Sequence, residues 1–325
     1  MSILITGGAG YIGSHVALEL LKLNQQIIII DNLSHSTGAN VKALQGEYPQ
    51  KVTFYETDIL SEQQLQNVFS NHSILGVIHL AGKKSVKESF SRSLDYYHNN
   101  VSGTLQLLKV MNQYKCYNLI FSSSATVYGI PKKSPISESA FIQPINPYGH
   151  SKAMIDKILS DLGEPWKIIS LRYFNPVGLD MSGILKEETE DTPENLFPYI
   201  IKVLKGDLEK LTVFGDDYPT RDGSAIRDYI HITDLAIAHI KSWNYLSKLN
   251  SGECDFFNIG TGRGNSVLEI LKCFQTLGRP VKYTIGPRRE GDAAQVYANP
   301  KKAKQILGWE STRCLAEMIK DSLLN

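Results

Sequence analysis

Thr6-Gly7-Gly8-Ala9-Gly10-Tyr11-Ile12-Gly13, set directly behind the apolar run Ile3-Leu4-Ile5, is the stretch that decides the fold. The run is too short for a helix, whereas Gly13 to Leu23 places Val16, Leu20, Leu21 and Leu23 on one helical face. Glycines at such a strand-to-helix junction permit a tight turn and let a pyrophosphate approach the backbone where the helix N-terminus faces it. The key glycines are Gly7, Gly10 and Gly13, a wider spacing than Gly-x-Gly-x-x-Gly. Taken alone, the pattern would also suit a flexible turn. Asp31 adds the second requirement, because it lies eighteen residues beyond Gly13 at the end of Ile27–Ile30, where a carboxylate can take both hydroxyls of a ribose. The same charge would repel a 2′-phosphate, so the expected cofactor is NAD rather than NADP.

Outward from this loop, short apolar runs alternate with amphipathic stretches, the pattern of a parallel sheet covered by helices. Strands are expected at Ile3–Thr6, Ile27–Asp31, Val52–Glu56, Leu75–Leu80, Leu119–Ser123 and Lys167–Arg172, with helices at Gly13–Leu23, Ser61–Asn71 and Ser102–Asn112. Six strands with helices on both faces make a doubly wound α/β sheet of the Rossmann type. Asp58-Ile59 and Ala81-Gly82-Lys83-Lys84 then fall at carboxyl ends of strands, where ligands of such sheets collect. After Asn175-Pro176 the texture changes to Gly-, Asp- and Pro-rich loops, so residues 1–175 are expected to bind the dinucleotide and residues 176–325 to form a smaller α/β substrate lobe. Tyr229–Ile232 and Phe256–Ile259 also read as buried strands, which implies exchange of chain between the lobes.

Composition narrows the function further. A chain of 325 residues is long for one core, which favours a large and a smaller domain with a cleft between them. With 42% hydrophobic and 21% charged residues and a net charge of +1, nothing in the balance attracts nucleic acid or a membrane surface. No apolar run approaches the roughly 20 residues of a membrane span, and Met1-Ser2 leads straight into the first strand, so a cytoplasmic address is expected. The four cysteines, Cys116, Cys254, Cys273 and Cys314, lack Cys-x-x-Cys spacing and are expected to be buried thiols. The eight histidines include no spacing that would bind metal, and no metal is expected.

The chemistry is carried by Asn146-Pro147-Tyr148-Gly149-His150-Ser151-Lys152, which reads as a helix start with Asn146 as cap and Pro147 in the first turn. Tyr148 and Lys152 stand at i and i+4, about 6 Å apart along one face, close enough for an ammonium to lie beside a phenol. A free tyrosine titrates near pH ~10, but a neighbouring lysine and a cationic nicotinamide both favour the phenolate, which makes the pair a usable base. Tyr-x-x-x-Lys by itself is equally an exposed ring with a surface lysine. Here Phe121-Ser122-Ser123-Ser124 ends a strand upstream, at the sheet edge where the nicotinamide should lie, and Ser124 can bond the same substrate oxygen.

In these motifs, and in His79–Gly82, Tyr96–Val101, Ser122–Gly129, Leu171–Gly178, Phe214–Pro219, Arg227–His231 and Arg288–Asp292, nearly the whole chain resembles the extended short-chain dehydrogenase/reductase family, closest to its UDP-hexose 4-epimerases. The resemblance implies reversible interconversion of UDP-galactose and UDP-glucose through a 4-keto sugar, with transient reduction of NAD. It assigns catalysis to Ser124, Tyr148 and Lys152. Dinucleotide contacts are implied for Gly7, Gly10, Tyr11, Ile12, Gly13, Asp31, Asn32, Ser36, Asp58, Ile59, Leu80, Ala81, Gly82, Lys84, Asn99, Ser122, Tyr148, Lys152 and Tyr173. Substrate contacts are implied for Ser124 and Tyr148, for Asn175, Asn195 and Leu196 around the diphosphate, for Thr212, Val213 and Phe214 at the uracil, and for Arg227, Arg289 and Asp292 at diphosphate and ribose. Relatives carry a bulky aromatic or a small residue where Val296 stands, and valine leaves room for a 2-acetamido group, which implies activity on UDP-GlcNAc and UDP-GalNAc as well. Related 4,6-dehydratases place an acidic pair just after the strand-end hydroxyl, where this chain has Ala125-Thr126. A non-catalytic dinucleotide sensor would not need Ser124, Tyr148 and Lys152 together. Relatives are commonly homodimers, and the helices around Ser102–Asn112 and Met154–Leu162 are the expected contact.

Overall fold

The computed structural model describes residues 1–187, 193, 195–289 and 291–324. Residues 188–192 of the loop-rich stretch, and Glu290 within the Arg288–Asp292 motif, lie outside the described residues. The chain runs β1 (Ser2–Thr6), α1 (Tyr11–Lys22), β2 (Ile27–Asp31), α2 (Ala39–Glu47), β3 (Val52–Glu56), α3 (Glu62–Asn71), β4 (Ile74–His79), α4 (Val86–Ser91) and α5 (Ser93–Tyr96). A π-helical turn, Tyr97–Ser102, leads into α6 (Gly103–Gln113), followed by β5 (Asn118–Ser124), α7 (Pro147–Asp161), β6 (Lys167–Tyr173) and β7 (Asn175–Val177). The remainder is α8 (Leu196–Lys205), β8 (Leu211–Phe214), β9 (Ile226–His231), α9 (Ile232–Leu246), β10 (Cys254–Ile259), β11 (Gly264–Ser266), α10 (Val267–Thr276), β12 (Tyr283–Gly286), β13 (Gln295–Val296) and α11 (Leu315–Ser322).

The main sheet has seven strands in the order β10-β6-β5-β4-β1-β2-β3, all parallel. Its central strands are apolar without alternation: Ile27–Ile30 are all buried, as a strand covered on both faces requires. One face packs on α1 and α9, through Val16, Leu20, Leu235 and Ala236, and the other on α3, α6 and α7, through Leu65, Leu107, Met111 and Ile155. The strand order turns back between β1 and β4, which opens a crevice at their carboxyl ends.

The six strands read from the sequence are all present, and the seventh comes from the second half: β10 lies parallel to β6, with Phe257 opposite Leu171. Thus Phe256–Ile259 does cross to the first sheet, whereas the strand containing Tyr229–His231 centres a separate sheet, flanked by β11, β13 and β7. A third pairing, β8 with β12, sits over a core of Phe197, Ile200, Val213, Ile270 and Phe274.

The cysteine expectation needs correction. Cys116 is buried, and burial pushes its thiol up to about 12, but Cys254 and Cys273 are half-buried and Cys314 is exposed. Cys314 occupies the N-cap of α11, where its side chain accepts from the third backbone N–H of the helix; a capping position faces solvent rather than core.

Candidate active site

The glycine loop joins β1 to α1 as its composition demands. Gly7 takes φ +68°, and a Cβ there would stand 2.6 Å from the Ala81 nitrogen; at Gly13 one would meet the Gly7 oxygen at 2.2 Å. Gly10 differs, because the nearest atom to a Cβ is 3.5 Å away, so its hydrogen faces open space rather than packing. Gly10 is also the N-cap of α1 and supplies no side-chain cap, so its first turn presents N–H groups to whatever lies in front. Asp31 accepts from the Ala9 N–H (3.1 Å) and the Leu33 N–H (2.9 Å), which fixes its carboxylate between the loop and the end of β2. Asn32 donates to Asp58 at 3.1 Å, and the buried Ser36 hydroxyl has no partner among the described residues. An open glycine face at a helix N-terminus, an anchored carboxylate and an orphaned hydroxyl together fit a dinucleotide. Ile59 is buried against Gly103, so any contact it makes is through its backbone.

The far side of the crevice is built by β4, β5 and α7. Asn146 accepts from the Gly149 N–H at 2.8 Å and Pro147 opens α7, so capping and the fixed proline φ start the helix where the sequence indicated. Tyr148, Lys152 and Asp156 then fall one turn apart on one face. In the sheet, Ser124 stands opposite Tyr173. The Ser124 hydroxyl hydrogen-bonds Tyr148 and accepts from Thr126 through its N–H (3.2 Å) and hydroxyl (3.0 Å). Lys152 is buried, donates to the Ser122 carbonyl at 2.6 Å, and lies 4.7 Å from the Phe121 ring centre and 6.0 Å from that of Tyr148. A Cβ on Gly82 would lie 3.7 Å from the Lys152 Nζ, which shows how closely the end of β4 approaches α7. Lys84 and Gly82 are exposed beside it.

The electrostatics differ from the sequence expectation. Burial raises the phenol of Tyr148, and the bond from Ser124 opposes that rise. Burial also pulls Lys152 down to about 8 despite the carboxylate of Asp156. Desolvation therefore dominates both groups.

Comparison with known proteins follows from this geometry. A family model described as GDP-mannose 4,6 dehydratase matches residues 4–322. UDP-glucose 4-epimerase of Bacillus subtilis (strain 168) is 47% identical, covering 99% of this chain and 96% of its own, and UDP-glucose 4-epimerase 2 of Arabidopsis thaliana is 45% identical, covering 98% and 93%. The chain belongs to the UDP-glucose 4-epimerase family. A solved UDP-glucose 4-epimerase from Stenotrophomonas maltophila, with bound NAD and formylated UDP-arabinopyranose, superposes with a TM-score of 0.96 at 39% identity, covering 99% of this chain and 97% of that one. The enzyme from Bifidobacterium longum, in complex with NAD+ and UDP, gives 0.92 at 41% identity, covering 100% and 97%.

The second-lobe candidates divide among β7, α8, β8, β9 and β13. Arg227 is held by Asp292 (2.8 Å) and by the Ala293 carbonyl (2.8 Å), and Val296 is its register partner in β13. Val296 is half-buried and packs against the small cluster that includes Ala125 and Phe174. Arg289 stacks over Phe214 at 3.9 Å, leaving the guanidinium edge for phosphate oxygens. Thr212 and Phe214 share one face of β8, whereas Val213 is 2% exposed and faces the lobe core, so only its backbone can reach a base. Asn175 donates to the Asp228 carbonyl at 3.0 Å, Asn195 stands at the N-cap position of α8 with no side-chain bond to the helix, and Leu196 begins it.

Three supporting residues escaped the sequence reading. Asn100, next to the expected Asn99, is buried; it accepts from the Lys83 N–H (2.8 Å) and donates to the Lys83 carbonyl and Ser151, both at 3.1 Å. It thereby fixes the end of β4 against α7. His239 on α9 donates to the Leu235 carbonyl at 2.9 Å and accepts from Tyr173. Asp228 is buried and binds the N–H groups of Thr261 (2.8 Å), Gly262 (3.0 Å) and Ala298 (3.0 Å), tying β9 to the chain that carries Val296. The Asn-Asn repeat at 99–100 was the only visible signal, since the other two depend on partners far away in sequence.

Proposed function

We propose that the protein is an NAD-dependent UDP-hexose 4-epimerase that interconverts UDP-galactose and UDP-glucose. Residues 1–175 carry the dinucleotide and residues 176–325 the nucleotide sugar, with β10 returned to the first sheet. When bound, NAD supplies an acceptor for the C4 hydride and gives it back, so net redox is zero. Tyr148 takes the proton of the 4-hydroxyl as that carbon is oxidised to a ketone, and returns it after the sugar has turned over. Ser124 supports this by donating to the phenolic oxygen, which favours the phenolate. Lys152 holds its ammonium at the ribose side of the crevice from the Ser122 carbonyl. Turning the ketone about the bond between sugar and diphosphate requires a firm grip on the nucleotide and a loose one on the hexose. Arg227, Arg289 and Phe214 provide the grip, while Val296 presents only a small apolar surface to the sugar.

The observation that carries this reading is the meeting of Ser124, Tyr148 and Lys152 at the strand ends beside the glycine loop. Dehydration would need further acid and base groups after Ser124, but Ala125 offers none and Thr126 spends its hydroxyl on Ser124. Space beside Val296 extends the range to UDP-GlcNAc and UDP-GalNAc. The protein acts in the cytoplasm as a homodimer; the dimer is supported by Leu105 on α6 and Met154 on α7, 40% and 46% exposed, and by a groove at Met154 lined by Val101, Ile142, Ala153 and Ile158 with His150 and Lys157 beside them. The test is incubation of purified protein with UDP-galactose and no added NAD. Catalytic formation of UDP-glucose supports the reading; tight NAD binding without turnover would replace it with a sensor.

A further inference from the structure

The chain between β7 and α8 does not pass directly into the second lobe. Gly178 accepts from the Tyr11 hydroxyl at 2.5 Å, which ties the segment to the first turn of α1. Asp180 then pairs with Lys22 at 2.8 Å and its N–H donates to His15 at 3.2 Å, so residues 178–182 lie along the outside of α1. Leu185 turns inward and is 2% exposed within the core beneath α1 and α2. Lys186 is gripped by Asn40 through two backbone bonds: its N–H donates to the Asn40 Oδ1 and its carbonyl accepts from the Asn40 Nδ2, both at 2.9 Å. Glu187 acts electrostatically on both Tyr11 of the phosphate loop and Lys84 at the end of β4. The chain thus runs from α2 to a point within electrostatic reach of both the phosphate loop and the end of β4, the two sides of the crevice.

Asn40 is unusual in this arrangement. It is 3% exposed at the start of α2, and its amide satisfies both polar groups of one distant peptide, as a strand partner would. Apart from a 3.5 Å contact with Ser14, its amide bonds are spent on this one residue. Asn40 follows the loop that carries Asp31, Asn32 and Ser36, so the contact joins the ribose side of the groove to the crossing chain.

We propose that Asn40 is a positioning residue that clasps residues 184–187 across the dinucleotide groove and thereby limits the rate at which NAD leaves the protein. This rests on the NAD-dependent reading above. The experiment loads wild type and Asn40→Ala with NAD, transfers both rapidly into NAD-free buffer, follows loss of bound NAD, and measures the affinity of each for UDP. Loss of both bonds should speed NAD release about tenfold or more, with UDP affinity within about twofold of wild type. If Asn40→Ala does not fold, Lys186→Pro removes the donated N–H from the other side and carries the same expectation. NAD release within about twofold of wild type overturns the clasp, and so does an equal weakening of UDP binding, which would mark general loosening. A wild-type protein that holds no NAD would instead overturn the functional reading and the clasp with it.

Discussion

Replacing Lys152 with methionine should make the protein more stable at neutral pH while removing its activity. Lys152 is 5% exposed, and burial takes its ammonium from the ordinary 10.5 to about 8. That fall corresponds to about 3 kcal/mol of penalty on the charged form. Methionine fills a similar volume without the charge but forfeits the bond to the Ser122 carbonyl, worth about 1 kcal/mol, so the expected gain at pH 7 is about 2 kcal/mol. The sign with pH follows from linkage. Between about 8 and 10.5 the unfolded chain holds a proton that the folded chain has released, so wild-type stability rises with pH through this window and the advantage of the variant shrinks. Urea unfolding at pH 7, 8, 9 and 10, followed by circular dichroism on NAD-free protein, measures the difference without stabilisation by ligand. A variant less stable than wild type at pH 7, or a gap that stays constant to pH 10, would refute the desolvation argument.

Three further outcomes are expected. Val296→Tyr should lower kcat/KM for UDP-GlcNAc and UDP-GalNAc at least about tenfold, with UDP-glucose turnover largely kept; equal losses on both pairs would show that this side chain does not set the range. Arg289→Ala should raise the Kd for UDP by about tenfold or more through loss of charge-assisted bonds, leaving NAD retention unchanged, as calorimetry with each ligand can measure. Met154→Glu should convert a dimer to monomer in light scattering at micromolar concentration, because a carboxylate replaces an exposed apolar side chain and must be desolvated in the contact; an unchanged mass would place the interface elsewhere.

The readable parts of this fold were those set by local rules. Uninterrupted isoleucines at 27–30, glycines at 7, 10 and 13 and the Asn146-Pro147 start each dictate their own geometry, and the strands, loop and catalytic helix follow. Where the determinant is a distant partner, sequence reading stops. Phe256–Ile259 could be seen as a buried strand, but its place beside β6 depends on which edge remained free. The Asp156–Arg172 pair, 2.9 Å apart and buried between α7 and β6, gave no local sign of itself. Tyr148 and Lys152 fall on one helix face as their spacing indicated, but their desolvation left no local sign, because spacing records which charges are near and not how much water has been removed.

The central claim, that Tyr148 moves the proton at the reacting carbon, is tested most directly by Tyr148→Phe in the UDP-galactose assay. The variant should retain bound NAD and UDP affinity while turnover falls by about 100-fold or more. Turnover equal to wild type would contradict the account.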